Sequence, residues 1–274
     1  MQAFARLIEQ KLFRAREALH FLFVRAADNA ARRTFLDIYR NLGNRGRYDQ
    51  RMQVNLRIGD TVVPCAMRLS DIFVLSEILF ERQYDAKSPL PPNPVIVDAG
   101  GNVGLSGLWC HAMYRPAALH VFEPASENFD LLSKNLAALP GVVANRAAVG
   151  REAGTLSLNH GEFAGMHSLK PIPGARLGDS EAVAVVTLED YMATHAIAGI
   201  DLLKIDVEGS ELDVLEGLGP RLADVGVILG EVHEDMIDVA GFYRFLDRAG
   251  FQLVWKRRFM EGRDTGVHNF EARR

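Results

Sequence analysis

The chain has 274 residues, of which 48% are hydrophobic and 24% charged, and 31 basic and 35 acidic side chains leave a formal charge of −4. This composition is typical of a globular protein with one substantial α/β domain and a smaller appendage. No run reaches the ~18 to 20 apolar residues of a membrane-spanning helix, because Arg25 ends the best candidate, Ala18–Val24. Without a secretory signal, and with Cys65 and Cys110 at unrelated positions, the expected location is the cytoplasm.

Residues 1–50 form a basic arm that carries a charge of +5, whereas the rest of the chain carries −9. Apolar residues recur in it at helical spacing and predict two helices that end near residue 42. We expect these helices to bury their apolar face against the main domain or a second subunit, which allows for a homo-oligomer. Peripheral membrane contact of residues 1–45, through a basic amphipathic helix, is the alternative.

Residues 51–93 predict a β-hairpin, a helix and a linker into the main domain. Apolar and polar residues alternate on both sides of a Gly-Asp turn, which indicates two antiparallel strands within 53–67. A helix capped by Ser70 or Asp71 follows, with a broad apolar face. The proline-rich segment 88–94 cannot continue a helix and serves as the linker.

Residues 94–274 predict the main domain, in which strands and helices alternate. Strands are expected at 95–98, 119–122, 142–149, 201–205 and 225–229, as a pair within 154–186 that encloses an excursion from His160 to Ser180, and around 251–256 and 267–271. Helices are expected at 103–113, 126–139, 210–218 and 235–249. Strands separated by helices pair in parallel through right-handed crossovers. The predicted fold class is therefore α/β, a doubly wound, mostly parallel sheet with a terminal antiparallel hairpin, and such sheets bind ligands beyond the carboxyl ends of their strands.

A glycine-rich turn follows the first strand of the main domain. Its glycines allow a ligand to approach the backbone closely. A dinucleotide fingerprint would need glycine at position 99, where the chain has Ala99, which disfavours an NAD-dependent oxidoreductase. Asp98 ends the strand and suits a ligand with an ammonium or sulfonium group. The turn residues expected to bind the cofactor are Gly100, Gly101, Asn102 and Gly104.

A second carboxylate, Glu123, ends the next strand, 19 residues after Gly104. In nucleotide-binding α/β sheets, an acid about 20 residues after the glycine turn accepts hydrogen bonds from the ribose hydroxyls. An adenosine with a cationic, amino-acid-bearing tail is S-adenosylmethionine. We therefore expect S-adenosylmethionine as the cofactor.

Four further ionisable residues are predicted at adjacent strand ends. Asp206 and Glu208 follow the strand 201–205, and Glu231 and His233 follow its neighbour. Three roles remain open for these residues: helix capping alone, substrate binding with base catalysis, and a divalent-metal site of Asp206, Glu231 and His233. A mixture of carboxylate and imidazole ligands suits Mg²⁺ or Mn²⁺ less well than a set of oxygen ligands. His233 is the preferred base, because its ordinary pKa of ~6.5 would leave it mostly neutral at pH 7.

From about residue 54 to residue 270 the chain resembles the FkbM-type S-adenosylmethionine-dependent methyltransferases. The matching segments are Val97–Gly104, Phe122–Pro124 with Asn128 and Asn135, Ala147–Gly150, Ser168-Leu169, Thr187–Asp190, Leu202–Glu211 and Glu231–His233. The run Lys204–Gly209 is much more specific than the glycine turn. One departure is Ala99-Gly100-Gly101, where the family more often has glycine and then alanine, and the basic arm lies outside the shared pattern.

The resemblance implies a Rossmann-like class I methyltransferase domain that transfers a methyl group from S-adenosylmethionine to a hydroxyl of a small-molecule, sugar or lipid natural product. It adds these cofactor-binding residues: Pro124, Ala147 and Asp206. The expected substrate contacts are His167, Ser168 and Arg68. A non-catalytic S-adenosylmethionine-binding or assembly module is the alternative. Nucleic acid is not expected as a partner, because the main domain is acidic.

Overall fold

The computed structural model describes residues 2–159, 167–170, 180–258 and 266–274, with side chains from residue 8 onward. The chain divides into two compact units, Met1–Arg82 and Gln83–Arg274. The boundary between them precedes the proline-rich segment that the sequence predicts as a linker. In the described part of the chain, every helix is too short or too polar to span a bilayer.

The first unit contains three α-helices and a two-stranded antiparallel sheet. Its elements are α1 (Gln2–His20), a π-helical turn (Phe21–Arg25), α2 (Asn29–Asn41), β1 (Arg51–Ile58), β2 (Thr61–Arg68) and α3 (Ile72–Leu79). The side chain of Asp28 caps α2 by accepting a hydrogen bond from Ala31 N at 2.8 Å. The helices and the hairpin predicted from the sequence are therefore present.

Part of the apolar surface of the basic arm remains exposed within the first unit. Phe21, Phe35 and Ile38 are completely buried. In contrast, Leu12 and Phe23 remain 58% and 69% exposed. The expectation that a second subunit or a membrane covers this exposed surface stays a prediction.

The second unit alternates strands and helices, as the sequence predicts. Its elements are β3 (Val95–Ala99), α4 (Leu105–Tyr114), β4 (Ala118–Phe122), α5 (Ser126–Leu136), β5 (Val142–Asn145), β6 (Ala148–Val149), β7 (Gly154–Asn159), β8 (Ser180–Val186), α6 (Leu188–Thr194), β9 (Ile200–Ile205), α7 (Glu211–Glu216), β10 (Val225–His233), α8 (Val239–Arg248), β11 (Gln252–Arg257) and β12 (Val267–Arg273). The chain of β3, with the sequence Val-Ile-Val-Asp-Ala, is buried almost throughout. Such continuous burial is typical of parallel strands covered on both faces.

The main sheet has the strand order β5-β4-β3-β9-β10-β12-β11. Strands β5, β4, β3, β9 and β10 run parallel to one another, whereas β12 is antiparallel to both β10 and β11. This arrangement confirms the predicted doubly wound sheet with a terminal antiparallel pair. Because the chain continues from β3 to β4 on one side and returns to β9 on the other, the topological switch point lies between β3 and β9. A ligand is expected at the carboxyl ends of these two strands.

Several predicted boundaries differ from the structure. The single strand expected at 142–149 is wrong, because β5 pairs with β4 and β6 joins a separate sheet with β8 and β7. The helix α6 was not predicted, since its seven residues are too few to display a clear helical period. Most of the excursion expected between His160 and Ser180 lies outside the described residues.

Candidate active site

An open cavity lies at the carboxyl edge of the main sheet, within the second unit. Several predicted site residues line it: Gly100, Asn102, Glu123, Pro124, Ala147, His167, Asp206 and Glu208. Apolar side chains at the same wall include Phe122, Val149, Leu158 and Leu169. A concave site with an apolar wall and a few polar groups suits a small organic ligand.

The glycine turn brings the backbone of β3 against that of β9. Gly100 has φ +87°, and a Cβ built on it would lie 1.7 Å from the carbonyl oxygen of Asp206. Only glycine fits there. A Cβ on Gly101 would lie 2.3 Å from Val121 Cγ1, so this glycine permits close packing onto β4. Gly101 and Gly104 are not among the lining residues of the cavity.

Asp98 forms a buried ion pair and is not among the residues that line the cavity, and its predicted contact with a cationic ligand stays a prediction. Its carboxylate is completely buried and lies 3.0 Å from Lys204 Nζ, and it accepts a hydrogen bond from Ser106 Oγ at 2.5 Å. Lys204 Nζ also donates to the carbonyl oxygen of Gly100 at 2.6 Å. Burial alone would lower the pKa of Lys204, but the charges of Asp98 and Asp206 outweigh it and raise this pKa. The pair therefore ties β9 to the glycine turn.

Glu123 ends β4 on the cavity wall, where the sequence predicts the ribose acid. Its Oε2 accepts a hydrogen bond from Asn102 N at 2.9 Å and its Oε1 one from Ala125 N at 2.8 Å. Burial raises the pKa of Glu123 to about 7, although both backbone hydrogen bonds favour the charged form. The side chain of Asn128 donates a third hydrogen bond to this carboxylate, which leaves one of its roughly four acceptor positions for a ligand hydroxyl.

Asp206 and Glu231 meet at the hydroxyl of Tyr84. Tyr84 Oη lies 2.9 Å from Asp206 Oδ2 and 3.2 Å from Glu231 Oε1. Lys204 Nζ lies 3.7 Å from the same oxygen of Asp206. Burial raises the pKa of Glu231 to about 8, and the charge of Asp206 adds to the effect. The carboxyl group of Glu231 therefore carries a proton for much of the time near neutral pH.

His233, the base preferred from the sequence, lies between two carboxylates. Its Nδ1 is 2.6 Å from Glu211 Oε1 and its Nε2 is 3.1 Å from Glu208 Oε2. Burial would lower the pKa of His233, but these two hydrogen bonds and the charges behind them raise it well above the ordinary value. The protonated ring, in which both nitrogens donate to carboxylates, is therefore favoured, and in that form it has no lone pair with which to take a proton.

The segment 167–170 lies against the turn that carries Glu208. This residue has φ +50°, a left-handed conformation that is uncommon outside glycine and is often found at functional sites. Ser168, which is 1% exposed, donates from Oγ to the carbonyl oxygen of Glu208 at 2.6 Å, and Lys170 Nζ donates to that of Gly209 at 2.7 Å. The Ser168 hydroxyl thus has a structural partner, whereas His167 lines the cavity.

A metal site fits these residues poorly. Asp206, Glu208 and His233 can bring one ligand atom each within 4.8 Å of one another, and Glu231, which the sequence places among the possible ligands, is not in this group. A histidine binds a metal ion through a nitrogen of the neutral imidazole that carries no proton, and both nitrogens of His233 are engaged with carboxylates. Metal binding would have to displace Glu208 from His233, and we assign no metal to this cluster.

Comparison with known proteins identifies the family. Residues 98–253, more than half of the chain, match the family model of the methyltransferase FkbM domain. The chain belongs to the FkbM methyltransferase family. It is 35% identical over 177 residues to the methyltransferase sdnD of Sordaria araneosa, which covers 53% of this chain and 68% of that protein.

Two further FkbM proteins are similar to this chain. The 31-O-demethyl-FK506 methyltransferase FkbM of Streptomyces tacrolimicus is 31% identical over 238 residues, which covers 74% of this chain and 89% of that protein. The crystal structure of methyltransferase FkbM from Methylobacillus flagellatus KT has a TM-score of 0.52 at 14% identity, over 94% of this chain and 58% of that one. At this identity the last comparison supports the shared fold alone.

Within this FkbM domain the structure brings most of the predicted site residues to one edge of the sheet. Asp206 shares the hydroxyl of Tyr84 with Glu231 and lies close to Glu208 and His233, and Glu123 lines the same cavity as Asp206. Arg68 belongs to the first unit, where it is buried and forms an ion pair with Asp71 at 3.3 Å. Its role as a substrate contact stays a prediction.

Sequence reasoning missed three residues that organise the site: Lys204, Tyr84 and Glu211. Lys204 had a detectable signal, because a charged residue inside an otherwise apolar, buried strand requires a buried partner. Glu211 had a weaker one, since an acid in the first turn of α7 reads as a helix cap. Tyr84 lies in a segment without periodicity, and nothing in the sequence singles it out.

Proposed function

We propose that this FkbM-family protein uses S-adenosylmethionine to methylate a hydroxyl oxygen of a small organic acceptor. The observation that carries the proposal is Glu123 on the cavity wall, beside the glycine turn and with an acceptor position left for a ribose hydroxyl. Asn102 supports it, because its buried Oδ1 on the same wall has no hydrogen-bond partner among the residues that the structure describes. A donor group of a bound cofactor would satisfy this oxygen.

The cofactor would be held by residues of three strand ends. Gly100 and Asn102 would contact it through the turn after β3, Glu123 and Pro124 after β4, and Ala147 at the apolar wall. Asp206 lies on the same cavity at the end of β9, where a cationic group is favoured by its negative charge. The bound cofactor supplies an electrophilic methyl group for in-line displacement by the acceptor oxygen.

Asp206 is the proposed general base. It lines the cavity, and Tyr84 Oη contacts its Oδ2, whereas no described residue donates a hydrogen bond to its Oδ1. This oxygen is available to accept the hydroxyl proton of the acceptor as the new carbon–oxygen bond forms. His233 instead holds the side chain of Glu208 at the wall, and its raised pKa favours the positively charged ring. Positioning of the two reactants supplies much of the rate enhancement in such a displacement.

Calorimetry and mass spectrometry test the proposed function together. The purified full chain should bind S-adenosylhomocysteine but not NAD. The methyl donor in the assay is S-adenosylmethionine, and the candidate acceptors are 31-O-demethyl-FK506, sugars and lipid alcohols. One of these acceptors should gain a single methyl group. The name of the Streptomyces relative suggests the first of these acceptors. Tight binding of NAD with no response to S-adenosylhomocysteine would contradict the proposal.

A further inference from the structure

Tyr84 occupies a position from which one hydroxyl reaches two carboxyl groups. Its Oη lies 2.9 Å from Asp206 Oδ2 and 3.2 Å from Glu231 Oε1. The side chain is only 3% exposed, so it is part of the wall behind the cavity. Neither the glycine turn nor the ribose acid includes this residue, and its role therefore has to be argued from these contacts.

A phenol has one proton and can donate it to one acceptor at a time. Asp206 is the better recipient, because Lys204 Nζ lies 3.7 Å from the same oxygen and stabilises the negative charge there. The contact with Glu231 is then satisfied if Glu231 is protonated and donates to the phenol oxygen. The raised pKa of Glu231, caused first by burial and then by the charge of Asp206, agrees with this proton position.

We propose that Tyr84 is a positioning residue that fixes the carboxylate of Asp206, at the end of a hydrogen-bond chain running from Glu231 through the phenol. This inference rests on the proposed role of Asp206 as the base. Oδ2 of Asp206 is occupied by the phenol, so that Oδ1 is the oxygen left for the acceptor. Glu231 then acts through Tyr84 and does not itself take the proton of the acceptor.

The surroundings of Tyr84 hold it in this orientation. Lys204 Nζ lies 5.1 Å from the centre of its ring, and Tyr114 Oη donates to its carbonyl oxygen at 3.2 Å. The carboxylate of Glu271, completely buried, accepts hydrogen bonds from the backbone of Lys87 and Ser88 at 2.6 Å each. These contacts fix the segment that follows Tyr84 onto β12, so the phenol does not depend on the cavity ligand for its position.

The Glu231 end of this hydrogen-bond chain is held in place as well. Asn269 Nδ2 lies 3.2 Å from Glu231 Oε1 and 3.1 Å from Gln83 Oε1. The amide therefore links the residue before Tyr84 to the carboxyl group that the phenol contacts. A two-sided support of this kind is what keeps a reacting group in one geometry.

The test compares Tyr84→Phe with Tyr191→Phe in the full chain. Both changes remove one buried phenol hydroxyl, and that of Tyr191 contacts His120 at 2.9 Å and Asn145 at 3.2 Å, away from the carboxyl cluster. Tyr84→Phe should lower kcat by about 10- to 100-fold, the scale of one hydrogen bond to a charged group, and leave the Kd for S-adenosylhomocysteine within about 2-fold. Tyr191→Phe should leave both quantities near those of the wild type.

A crystal structure of Tyr84→Phe gives a second readout that needs no acceptor. The Asp206 side chain should rotate away from its wild-type position or occupy more than one conformer. Unchanged kcat, or an Asp206 carboxylate that stays in place in the variant, overturns the role of Tyr84. A wild-type protein that fails to bind S-adenosylhomocysteine contradicts the proposed function instead, and the crystal structure of the variant still decides the positioning of Asp206.

Glu231→Gln keeps the inference testable if Tyr84→Phe does not fold. The amide of glutamine can donate an N–H to the phenol oxygen in place of the carboxylic O–H. Glutamine weakens the hydrogen-bond chain without removing it, because its N–H would replace Oε1 opposite Asn269 Nδ2, which is also a donor, so kcat should fall by up to about 10-fold. A loss of ~10²-fold or more, the scale for removing a general base, would make Glu231 a catalytic residue and overturn the inference.

Discussion

The titration of Glu123 should control cofactor affinity. Ribose hydroxyls donate hydrogen bonds, so they are expected to bind the charged carboxylate better than the protonated one. Because burial raises the pKa of Glu123 to about 7, part of the protein carries the wrong form at neutral pH. Affinity should therefore be constant well above pH 7 and fall as the pH decreases below it.

The magnitude follows from the pKa. At pH 5.5, with a pKa of about 7, only about 3% of Glu123 is charged, which weakens binding of S-adenosylhomocysteine by about 30-fold relative to pH 8.5. Glu123→Gln cannot titrate and presents an N–H where one acceptor oxygen stood. At pH 8.5 this change should cost about 1.5–3 kcal/mol, or roughly 10- to 150-fold in affinity.

Calorimetric titration with S-adenosylhomocysteine between pH 5.5 and 8.5 measures both effects. The neutral thioether is chosen so that charges elsewhere in the cavity matter less than they would for the sulfonium. Glu127→Gln, the same chemical change at an exposed position on α5, is the matched control and should keep the wild-type pH dependence. An affinity that is as pH-dependent in Glu123→Gln as in the wild type would refute the assignment of the ribose contact.

Four further predictions concern the rest of the chain. Asp206→Asn should lower methyl transfer by ~10²-fold or more and leave affinity for S-adenosylhomocysteine within about 3-fold, and unchanged turnover would exclude Asp206 as the base. Lys204→Met should destabilise the protein by about 3–5 kcal/mol in urea unfolding, because it leaves Asp98 buried without its partner; a loss below ~1 kcal/mol would contradict the buried pair. Folding raises the pKa of His233, so its contribution to stability is complete below pH ~6.5 and declines as the pH rises toward the pKa of the folded state. The difference in melting temperature between the wild type and His233→Gln should therefore shrink from pH 6.5 to 9. A difference in melting temperature that stays constant over this range would contradict the raised pKa of His233. Deletion of residues 1–45 should lower solubility or change the oligomer size in light scattering, whereas a monodisperse variant that only loses binding to anionic vesicles would favour membrane contact.

The sheet and its ligand edge were predictable because they follow from local patterns. Apolar runs such as β3, each ending in a carboxylate or a glycine turn, predict strands whose carboxyl ends meet at one edge. This pattern predicts that Glu123, Asp206 and Glu231 lie near one another. The separation of β6 from β5 was not predictable, since the residues between them carry no turn signal and the partner β8 lies more than 30 residues later.

The charge states in the site were not predictable, because they depend on partners that are distant along the chain. Asp98 has the same sequence context whether it meets a ligand or Lys204, and only the pairing of β3 with β9 decides between them. The same holds for His233, whose protonation depends on Glu208 and Glu211, both more than 20 residues earlier. The sequence alone therefore favours a neutral His233, whereas its contacts in the structure favour the protonated form.

A crystal structure of the full chain with S-adenosylhomocysteine tests the central claim most directly. The account predicts that the ligand lies in the cavity at the carboxyl edge of β3, β4 and β9, with its ribose hydroxyls within hydrogen-bond distance of Glu123 and its sulfur on the side of Asp206. A ligand bound elsewhere, or a ribose that makes no contact with Glu123, would contradict it.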